Sequence, residues 1–335
     1  MVEYHYGGSK EFLGRGIRHV IRAEYPSCEH GWFKLPFGLC MFLVAMKVEH
    51  LFRGRIMRIR LVAVIIFALA CLWNNSERNT LSAPFPPRSG WVLTWHDEFN
   101  GPPGSAPDPT KWVLEKGGNG WGNNELEYYT GRIQNVRQDR GNLVIEAIRE
   151  KYIGPDGIAR NYTSARIKSQ GQFSQEYGRF ESRIRLPTGK GLWPAFWMLG
   201  DDFEGTGWPN CGEIDIMESF GFKPFKIFSS LHGPGYSGKN SVTRVFTFPA
   251  GHANEDFHDF AAEWVPQVVR FFVDGELYAT GTPVDLPSGA RWVFDHPFFI
   301  VLNLAVGGNL PGNPDESTVF PQRMLVDYVR VYALR

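Results

Sequence analysis

Short stretches in which every second residue is apolar recur from Trp91 to the C-terminus, and turn-forming residues separate them. Such alternation predicts β-strands that are buried on one face. Helical periodicity is not sustained anywhere in this region. The predicted strands are residues 141–147, 178–186, 268–273, 276–279, 298–306 and 325–332, with Asp274-Gly275 as a tight hairpin turn between two of them. The pattern therefore predicts an all-β fold, an antiparallel β-sandwich.

One sheet of this sandwich is expected to have a polar, concave face. In residues 178–186 the apolar side chains alternate with Glu181 and Arg183, which therefore point away from the core. We expect this strand and the strand that carries Glu213 to belong to the same sheet. Their polar side chains would then line one substrate cleft.

The segment Glu213–Glu218 places three carboxylates on a short β-branched stretch that otherwise has the pattern of a buried strand. Alternation puts Glu213 and Asp215 on one face of the strand, but it puts Glu218 on the opposite face. A β-bulge near Met217 adds one residue and returns Glu218 to the face of the other two acids. The sequence therefore predicts a bulge at this point.

Close carboxylates repel each other, so at least one of them has a raised proton affinity. An ionised carboxylate beside a protonated one can cleave a glycosidic bond. The alternative is that these acids line a solvated edge of a sheet. Nearby rings favour the first interpretation, because aromatic side chains stack on the apolar face of a pyranose. The residues that suggest it are Trp193, Trp197, Trp208 and His232.

The charge balance narrows the range of partners. The chain of 335 residues has 35 lysines and arginines and 35 aspartates and glutamates. A net charge of zero argues against a nucleic-acid partner, and it disfavours a strongly sulfated polymer as substrate. Only Cys211 of the four cysteines lies in the predicted β domain, so we expect no disulfide there. No His/Cys cluster has zinc spacing.

Residues 57–71 differ from the rest of the chain. A basic start, an apolar run and a small residue before Cys71 indicate a secretory signal peptide, and the run is shorter than the ~20 residues that span a membrane. Residues 1–56 are interpreted as a doubtful N-terminal extension, with a cytoplasmic segment before an internal anchor as the alternative. Residues 72–90 are a polar and proline-rich linker. Residues 91–335 form one domain.

The predicted signal peptide indicates where in the cell the protein is expected. We expect a secreted protein, periplasmic or extracellular, and a monomer. The position of Cys71 directly after Ala70 raises the alternative of a lipoprotein. Membrane attachment is expected only in that case, through a lipid anchor at Cys71.

From Trp91 to Arg335 the chain carries a series of motifs that resembles glycoside hydrolase family 16, and within it the laminarinase-like endo-β-1,3-glucanases. The motifs are residues 95–101, 120–130, 164–167, 178–183, 192–198, 213–218, 303–308 and 327–332. Each motif alone is weak or moderate, but the set in this order is specific. The extra residue in the acidic segment favours the laminarinase-like members.

The resemblance implies a jelly-roll, concanavalin-like sandwich with an open cleft, and hydrolysis with retained configuration. It assigns the nucleophile to Glu213 and the general acid/base to Glu218, with Asp215 tuning both by charge and hydrogen bonding. Retaining enzymes hold the two carboxyl groups ~5–5.5 Å apart. No cofactor is expected for catalysis. The expected substrate is laminarin-like β-1,3-glucan, with mixed-linkage β-glucan as a second candidate.

The resemblance also implies substrate-binding residues. They are Asn124, Arg166, Glu181, Arg183, Trp193, Trp197, His232 and Asn303. We expect Trp193 to be exposed to the cleft from a loop flanked by glycine and proline. For several of the remaining residues a structural role is an open alternative.

That structural role differs from residue to residue. A salt bridge within the strand is the alternative for Glu181 and Arg183, and a core position is the alternative for Trp197. Hydrogen bonding within the protein is the alternative for His232 and Asn303.

Many relatives bind a structural calcium ion away from the chemistry. The matching positions here are Glu98, Gly141 and Asp327. Calcium takes oxygen ligands, including backbone carbonyls. Three further functions remain open: hydrolysis of another polysaccharide such as a galactan, transglycosylation, and glucan recognition without catalysis. Because recognition proteins usually lack the catalytic glutamates, retention of Glu213 and Glu218 disfavours the last.

Overall fold

The computed structural model describes residues 90–249 and 256–335. The predicted extension at 1–56, the signal peptide at 57–71 and all but the last residue of the predicted linker lie outside these residues. The described helices are α1 (Phe203–Thr206) and two 3-10 turns at Gly238–Asn240 and Pro283–Asp285. In this part of the chain we find no helix with the length and apolar character needed to cross a membrane.

Seventeen described strands form two sheets. The ten-stranded sheet contains β1 (Trp91–Asp97), β3 (Glu127–Tyr129), β4 (Val136–Asp139), β5 (Asn142–Ile153), β6 (Ala159–Ser164), β8 (Gly178–Arg185), β13 (His258–Val265), β14 (Val268–Val273), β15 (Glu276–Gly281) and β17 (Gln322–Leu334). The seven-stranded sheet contains β2 (Val113–Glu115), β7 (Arg166–Lys168), β9 (Leu192–Gly200), β10 (Glu213–Glu218), β11 (Lys226–His232), β12 (Val242–Thr247) and β16 (Phe298–Val306).

Strand pairing in both sheets is antiparallel, apart from the parallel pair β3–β6. The seven-stranded sheet has the order β12-β11-β10-β9-β16-β7-β2. The ten-stranded sheet has the order β15-β14-β13-β8-β17-β5-β6-β3, with β1 beside β17 and β4 beside β5. The predicted all-β antiparallel sandwich is therefore confirmed, and β10 lies inside its sheet between β9 and β11.

The core lies between the two sheets, and β16 shows how the sequence divides its side chains. Phe298 and Ile300 face the main core, whereas Phe299 and Val301 belong to a second cluster on the opposite face of the sheet. All residues of β16 are buried, which explains its continuous apolar sequence. Trp264 of β13 packs edge-on against Phe298, with ring centroids 5.1 Å apart. This contact joins the two sheets directly.

The predicted hairpin is also present. β14 and β15 pair in antiparallel fashion around Asp274 and Gly275. Both turn residues have positive φ, 51° and 81°. A two-residue hairpin needs this left-handed backbone because it matches the twist of the flanking strands.

One prediction about the sheets is wrong. β8, which carries Glu181 and Arg183, lies in the ten-stranded sheet, whereas β10 lies in the seven-stranded sheet. Phe180 and Ile184 of β8 are in the core, so Glu181 and Arg183 lie on the outer face of the ten-stranded sheet. Alternation shows which side chains share a face of a strand, but it does not show which sheet the strand joins.

Candidate active site

The predicted bulge is present in β10. The register with β9 slips between Asp215 and Met217, and the register with β11 slips between Asp215 and Glu218. Ile216 and Met217 are both buried in the core, so two consecutive residues face inward and the alternation reverses. Glu218 therefore lies on the same face as Glu213 and Asp215. We call this the cleft face of the seven-stranded sheet.

Glu218 has the properties of a general acid. Burial raises its pKa to about 7, the charge of Glu213 adds to this effect, and His232 opposes it. Nε1 of Trp193 donates a hydrogen bond to Oε1 of Glu218 at 2.8 Å, which leaves Oε2 to carry the proton. A carboxyl group with a pKa near neutrality can both give and accept a proton at that pH.

Glu213 is held by a different indole. Nε1 of Trp208 donates to Oε2 of Glu213 at 2.7 Å. Trp208 is 46% exposed and lies on the segment between α1 and β10. The sequence singled out Trp208 only as a neighbouring ring. Its position five residues before Glu213 was the signal that could have suggested this contact.

Asp215 and His232 form a buried pair beside Glu213. Nε2 of His232 lies 2.9 Å from Oδ2 of Asp215 and 3.9 Å from Oε1 of Glu213. Burial lowers the pKa of His232, but the charge of Asp215 and the hydrogen bond to it outweigh that effect and raise the pKa to about 9. Nδ1 of His232 lies 3.1 Å from the backbone nitrogen of Gly238, so Gly238 packs against the edge of the ring that points away from Asp215. Burial and the charges of Glu213 and Glu218 raise the pKa of Asp215.

Among the described residues, Glu213, Asp215 and His232 form a cluster of side chains of the types that bind metal ions. Ligand atoms of Glu213, Asp215 and His232 all lie within 4.8 Å of one another. Ion pairing between Asp215 and His232 accounts for this proximity without a metal ion. The arrangement therefore places Glu213, which is held by Trp208, and Glu218, whose pKa is near neutrality, on one surface.

Arg166 and Trp197 line the cleft face beside the acids. Trp197 pairs with Asp215 in the strand register. The guanidinium of Arg166 stacks over Trp197 and over Trp121, at 4.7 Å and 4.8 Å from the ring centroids, and it pairs with Glu115. Trp197 is half-buried, so part of its ring is open to a ligand. The sequence did not name Trp121 as a site residue, although it lies in one of the family motifs.

Asn303 serves the protein's own hydrogen bonding. Its Oδ1 accepts from Nε1 of Trp197 at 2.8 Å, and its Nδ2 donates to the hydroxyl of Tyr129 at 3.1 Å. Only 6% of Asn303 is exposed. Asn303 thus fixes the orientation of the Trp197 indole through this hydrogen bond. Asn124 lies on the segment before β3, with a positive φ of 57°, and its Nδ2 donates to Asn309 at 2.9 Å.

The prediction of an exposed loop position for Trp193 is wrong. Trp193 belongs to β9 and is 7% exposed. It packs with Phe220 and Ala305, and its indole nitrogen is directed at Glu218. Glycine and proline beside Trp193 suggested a loop, but the sheet continues through Pro194 because that residue's carbonyl accepts from the backbone N–H of Ser219. Trp193 donates to Glu218 and is not a free sugar platform.

Glu181 and Arg183 are not brought to the cleft face. Glu181 is 1% exposed and accepts two hydrogen bonds from Arg179, at 3.0 Å and 2.7 Å. Arg183 pairs with Asp259 and Asp327, at 3.6 Å and 3.4 Å. The salt-bridge alternative for these two residues is what the structure shows. Their predicted role in substrate binding is contradicted by their place on the other sheet.

The residues predicted to bind calcium also lie on the ten-stranded sheet side. Both oxygens of Glu98 accept from Arg330, at 2.9 Å and 2.8 Å. Burial raises the pKa of Asp327, the charge of Arg183 opposes this effect, and the charge of Glu98 adds to it. Gly141 lies in the turn between β4 and β5, with a φ of 75°. Because Arg330 occupies the Glu98 carboxylate, calcium at this place would depend on Asp327 and on backbone carbonyls.

Two carboxyl groups on one face of a β-sandwich, one with a pKa near neutrality and both held by indole nitrogens, define a glycosidase that works with a carboxylate pair. Residues 123–330 match the model of glycosyl hydrolases family 16. The chain belongs to this family and is a glycoside hydrolase. The family that the motifs indicated is thus confirmed.

Two similar proteins and one similar solved structure are glucanases. The chain is 41% identical over 295 residues to a β-glucanase of Rhodothermus marinus, which covers 86% of this chain and 96% of the relative. It is 42% identical over 258 residues to a glucan endo-1,3-β-glucosidase of Cryptopygus antarcticus, covering 72% and 91%. The X-ray structure of an endo-β-1,3-glucanase from Pyrococcus furiosus matches with a TM-score of 0.70 at 49% identity, covering 73% and 95%.

Proposed function

We propose that this protein hydrolyses β-1,3-glucan within the polysaccharide chain, with retention of the anomeric configuration. The observation that carries the proposal is the bulge in β10, which places Glu218 with its pKa of about 7 on the face that carries Glu213. The activities of the similar proteins from Rhodothermus marinus, Cryptopygus antarcticus and Pyrococcus furiosus support β-glucan as the substrate.

The first step uses both glutamates. Oε2 of Glu218 gives its proton to the glycosidic oxygen while the bond from that oxygen to the anomeric carbon breaks. A carboxylate oxygen of Glu213 attacks the anomeric carbon from the opposite face, so a glycosyl ester forms. The electron pair of the broken bond stays on the leaving oxygen, and Glu218 becomes a carboxylate. Trp208 holds the other oxygen of Glu213 in place.

The second step reverses the roles. The carboxylate of Glu218 takes a proton from a water molecule, whose oxygen attacks the anomeric carbon. The ester bond breaks and its electron pair returns to Glu213. Two inversions give net retention. Asp215 and His232 lie beside Glu213 and provide the same electrostatic environment for the nucleophile in both steps.

Trp197 and Arg166 are proposed to bind the sugar on one side of the acids. The half-buried ring of Trp197 faces the cleft beside Asp215, and an indole can stack on the apolar face of a glucose unit. Arg166 is fixed between two indoles and can donate to glucan hydroxyls. Asn124 lies on the adjoining segment and is proposed to contribute there.

One experiment tests linkage and stereochemistry together. The full-length protein is incubated with laminarin, and the anomer of the first product is followed by NMR. We expect the β-anomer to form first and to mutarotate later. Initial formation of the α-anomer would contradict retention, and intact laminarin would contradict the substrate. Parallel incubations with lichenan and agarose separate mixed-linkage glucan and galactan specificity from β-1,3-glucan specificity.

Laminarin also distinguishes hydrolysis from transglycosylation and from binding without cleavage. A transglycosylase would extend added laminari-oligosaccharides, because both reactions share the glycosyl ester and differ only in the acceptor. We propose water as the main acceptor and expect hydrolysis products to dominate in dilute acceptor. A glucan-recognition protein would bind laminarin without cleaving it.

We propose that the protein is exported and that residues 57–71 are removed on the way. The basic start and short apolar run support this. N-terminal sequencing of the mature protein tests it, and residues before Met57 in that protein would contradict it. A lipid anchor at Cys71 would instead leave the protein in the membrane fraction and release it on lipase treatment. A monomer in solution is proposed, to be checked by light scattering.

A structural calcium ion is proposed at Asp327, with backbone carbonyls at Glu98 and Gly141. The match of these three positions to the calcium-binding positions of many family members supports it. Bound calcium stabilises the folded state by mass action. The melting temperature measured with chelator and then with added calcium tests this proposal, and an unchanged value would overturn it.

A further inference from the structure

A chain of hydrogen bonds runs from the cleft face into a buried pair of acids that catalysis does not use. It starts at Nε1 of Trp197, which donates to Asn303, and Asn303 donates to the hydroxyl of Tyr129. That hydroxyl oxygen accepts from Asn303, so its proton is donated to Oε2 of Glu125, at 2.9 Å. The direction of donation is therefore the same throughout, from Trp197 towards Glu125.

Glu127 lies at the far end of this chain. It is 0% exposed, and its Oε2 accepts from the backbone N–H of Val306 at 2.6 Å. Its Oε1 is buried and has no hydrogen-bond donor among the described residues. Glu125 lies two positions earlier in the chain and is 5% exposed, and its charge acts on Glu127. Two ionised carboxylates in this position would repel each other and leave Oε1 unsatisfied.

The charged groups around the pair do not remove this repulsion. Arg166 of β7 is the cation that acts on Glu125, and it already pairs with Glu115 of β2. Tyr129 of β3 is a neutral donor. The end of β16 contacts the pair through backbone groups: Val306 donates its N–H to Glu127, and Gly307 forms a β-bridge with Glu125. Burial raises the pKa of Glu127, and the charge of Glu125 adds to this.

We propose that Glu125 and Glu127 share one proton, and that this pair fixes residues 117–129 as a wall of the cleft, so that Glu127 is a positioning residue for Trp121 and Trp197. The proton supplies the missing donor at Oε1 of Glu127. Trp121 lies on that wall and stacks on Arg166, which stacks in turn on Trp197. Loss of the proton puts two negative charges together and loosens the wall.

The inference rests on the proposed β-glucan hydrolysis only for its kinetic readout. In the wild-type enzyme, we expect the KM for laminarin to rise at alkaline pH by roughly five-fold, the effect of about one lost hydrogen bond. This rise is separate from the fall in kcat that follows ionisation of Glu218. Glu127→Gln has a permanent donor in place of the shared proton, so its KM should stay within about two-fold of its neutral value.

Two further variants complete the test. Tyr129→Phe removes a donor that lowers the pKa of Glu125, so the KM rise should move to higher pH whatever the KM is at neutral pH. This variant also keeps the inference testable if Glu127→Gln does not fold. Glu276→Gln, an exposed residue of the distant hairpin strand β15, is the matched control and should behave like the wild type.

Infrared difference spectroscopy gives a readout that needs no substrate. At neutral pH, the wild-type spectrum minus the Glu127→Gln spectrum should contain the carbonyl stretch of a protonated carboxylic acid, and the same subtraction with Glu276→Gln should not. Absence of that band, or a KM rise at the same pH in Glu127→Gln as in the wild type, overturns the shared proton. If laminarin is not cleaved but the band is present, the proposed function fails and the shared proton stands.

Discussion

The indole nitrogen of Trp193 donates a hydrogen bond of 2.8 Å to Oε1 of Glu218. The two residues lie on neighbouring strands, β9 and β10, and are 25 positions apart in the chain. This bond lowers the pKa of Glu218 against the effect of burial. Trp193 therefore helps to set the pH at which Glu218 loses its proton.

Replacement of Trp193 by Phe should shift the activity profile. Without the donor, the protonated form of Glu218 gains relative to the carboxylate, so the pKa rises further above 7. The alkaline limb of the plot of kcat/KM against pH should move up by roughly half to one pH unit. Trp95→Phe, a loss of an indole on the ten-stranded sheet, is the control and should leave the limb in place. A downward shift in Trp193→Phe would contradict the role of this bond.

Glu213→Gln should abolish turnover and preserve glucan binding. An amide keeps the shape of the carboxylate but cannot form the glycosyl ester. We expect kcat to fall by more than about 1,000-fold, while calorimetry with laminari-oligosaccharides shows an affinity close to that of the wild type. Turnover near the wild-type level would overturn Glu213 as the nucleophile.

Glu218→Ala should be rescued by azide. With an activated aryl glycoside the leaving group needs no proton, so Glu213 still forms the ester. Azide then attacks without a general base in the space left by the Glu218 side chain, and the product is a β-glycosyl azide. Its amount is measured by chromatography against a buffer blank. The acid/base assignment would be weakened if azide had no effect, or if it gave the α-azide.

Glu218→Gln should stabilise the protein at alkaline pH. A carboxyl group whose pKa is raised from 4.5 to about 7 by folding binds its proton more tightly in the folded state. Its contribution to stability is present below pH 4.5 and is lost as pH rises to about 7. The neutral amide avoids this loss, which is at most about 3 kcal/mol. Thermal unfolding of both proteins at pH 5 and pH 8.5 checks this, and a gain confined to pH 5 would have the wrong sign.

Substitutions on β8 should separate stability from activity. Glu181→Gln leaves the buried guanidinium of Arg179 with a weaker partner and should cost roughly 3 kcal/mol in the free energy of unfolding. Arg183→Ala should change stability little, because its ion pairs are partly exposed. Both variants should keep kcat and KM for laminarin within about two-fold below their melting temperatures. A large rise in KM in Arg183→Ala would return this residue to substrate binding.

The pattern of apolar and polar residues was sufficient to predict features that depend on a single strand. The parity of apolar and acidic residues in 213–218 required a bulge, because Glu218 could not otherwise share a face with Glu213, and the bulge is there. The continuous apolar run at 298–306 became a strand that is buried on both faces. The family also followed from the sequence, because its motifs are short local strings in a fixed order.

Relationships between strands needed the tertiary structure. Acidic and basic alternation in β8 resembled the pattern of a cleft strand, yet the pairing of β8 with β13 and β17 places it in the other sheet. Strand order is decided by the packing of the whole core, which no single segment encodes.

The sequence by itself determined strands such as 213–218 and 298–306, the bulge in the first of these, and the three acids that it carries. Only the tertiary structure decided what surrounds those acids: Trp193 at Glu218, Trp208 at Glu213, and the paired Glu125 and Glu127 under the cleft wall. The physical reason is that burial and hydrogen-bond partners set the pKa of a carboxyl group, and both are properties of segments that are distant in the chain and meet only when it folds.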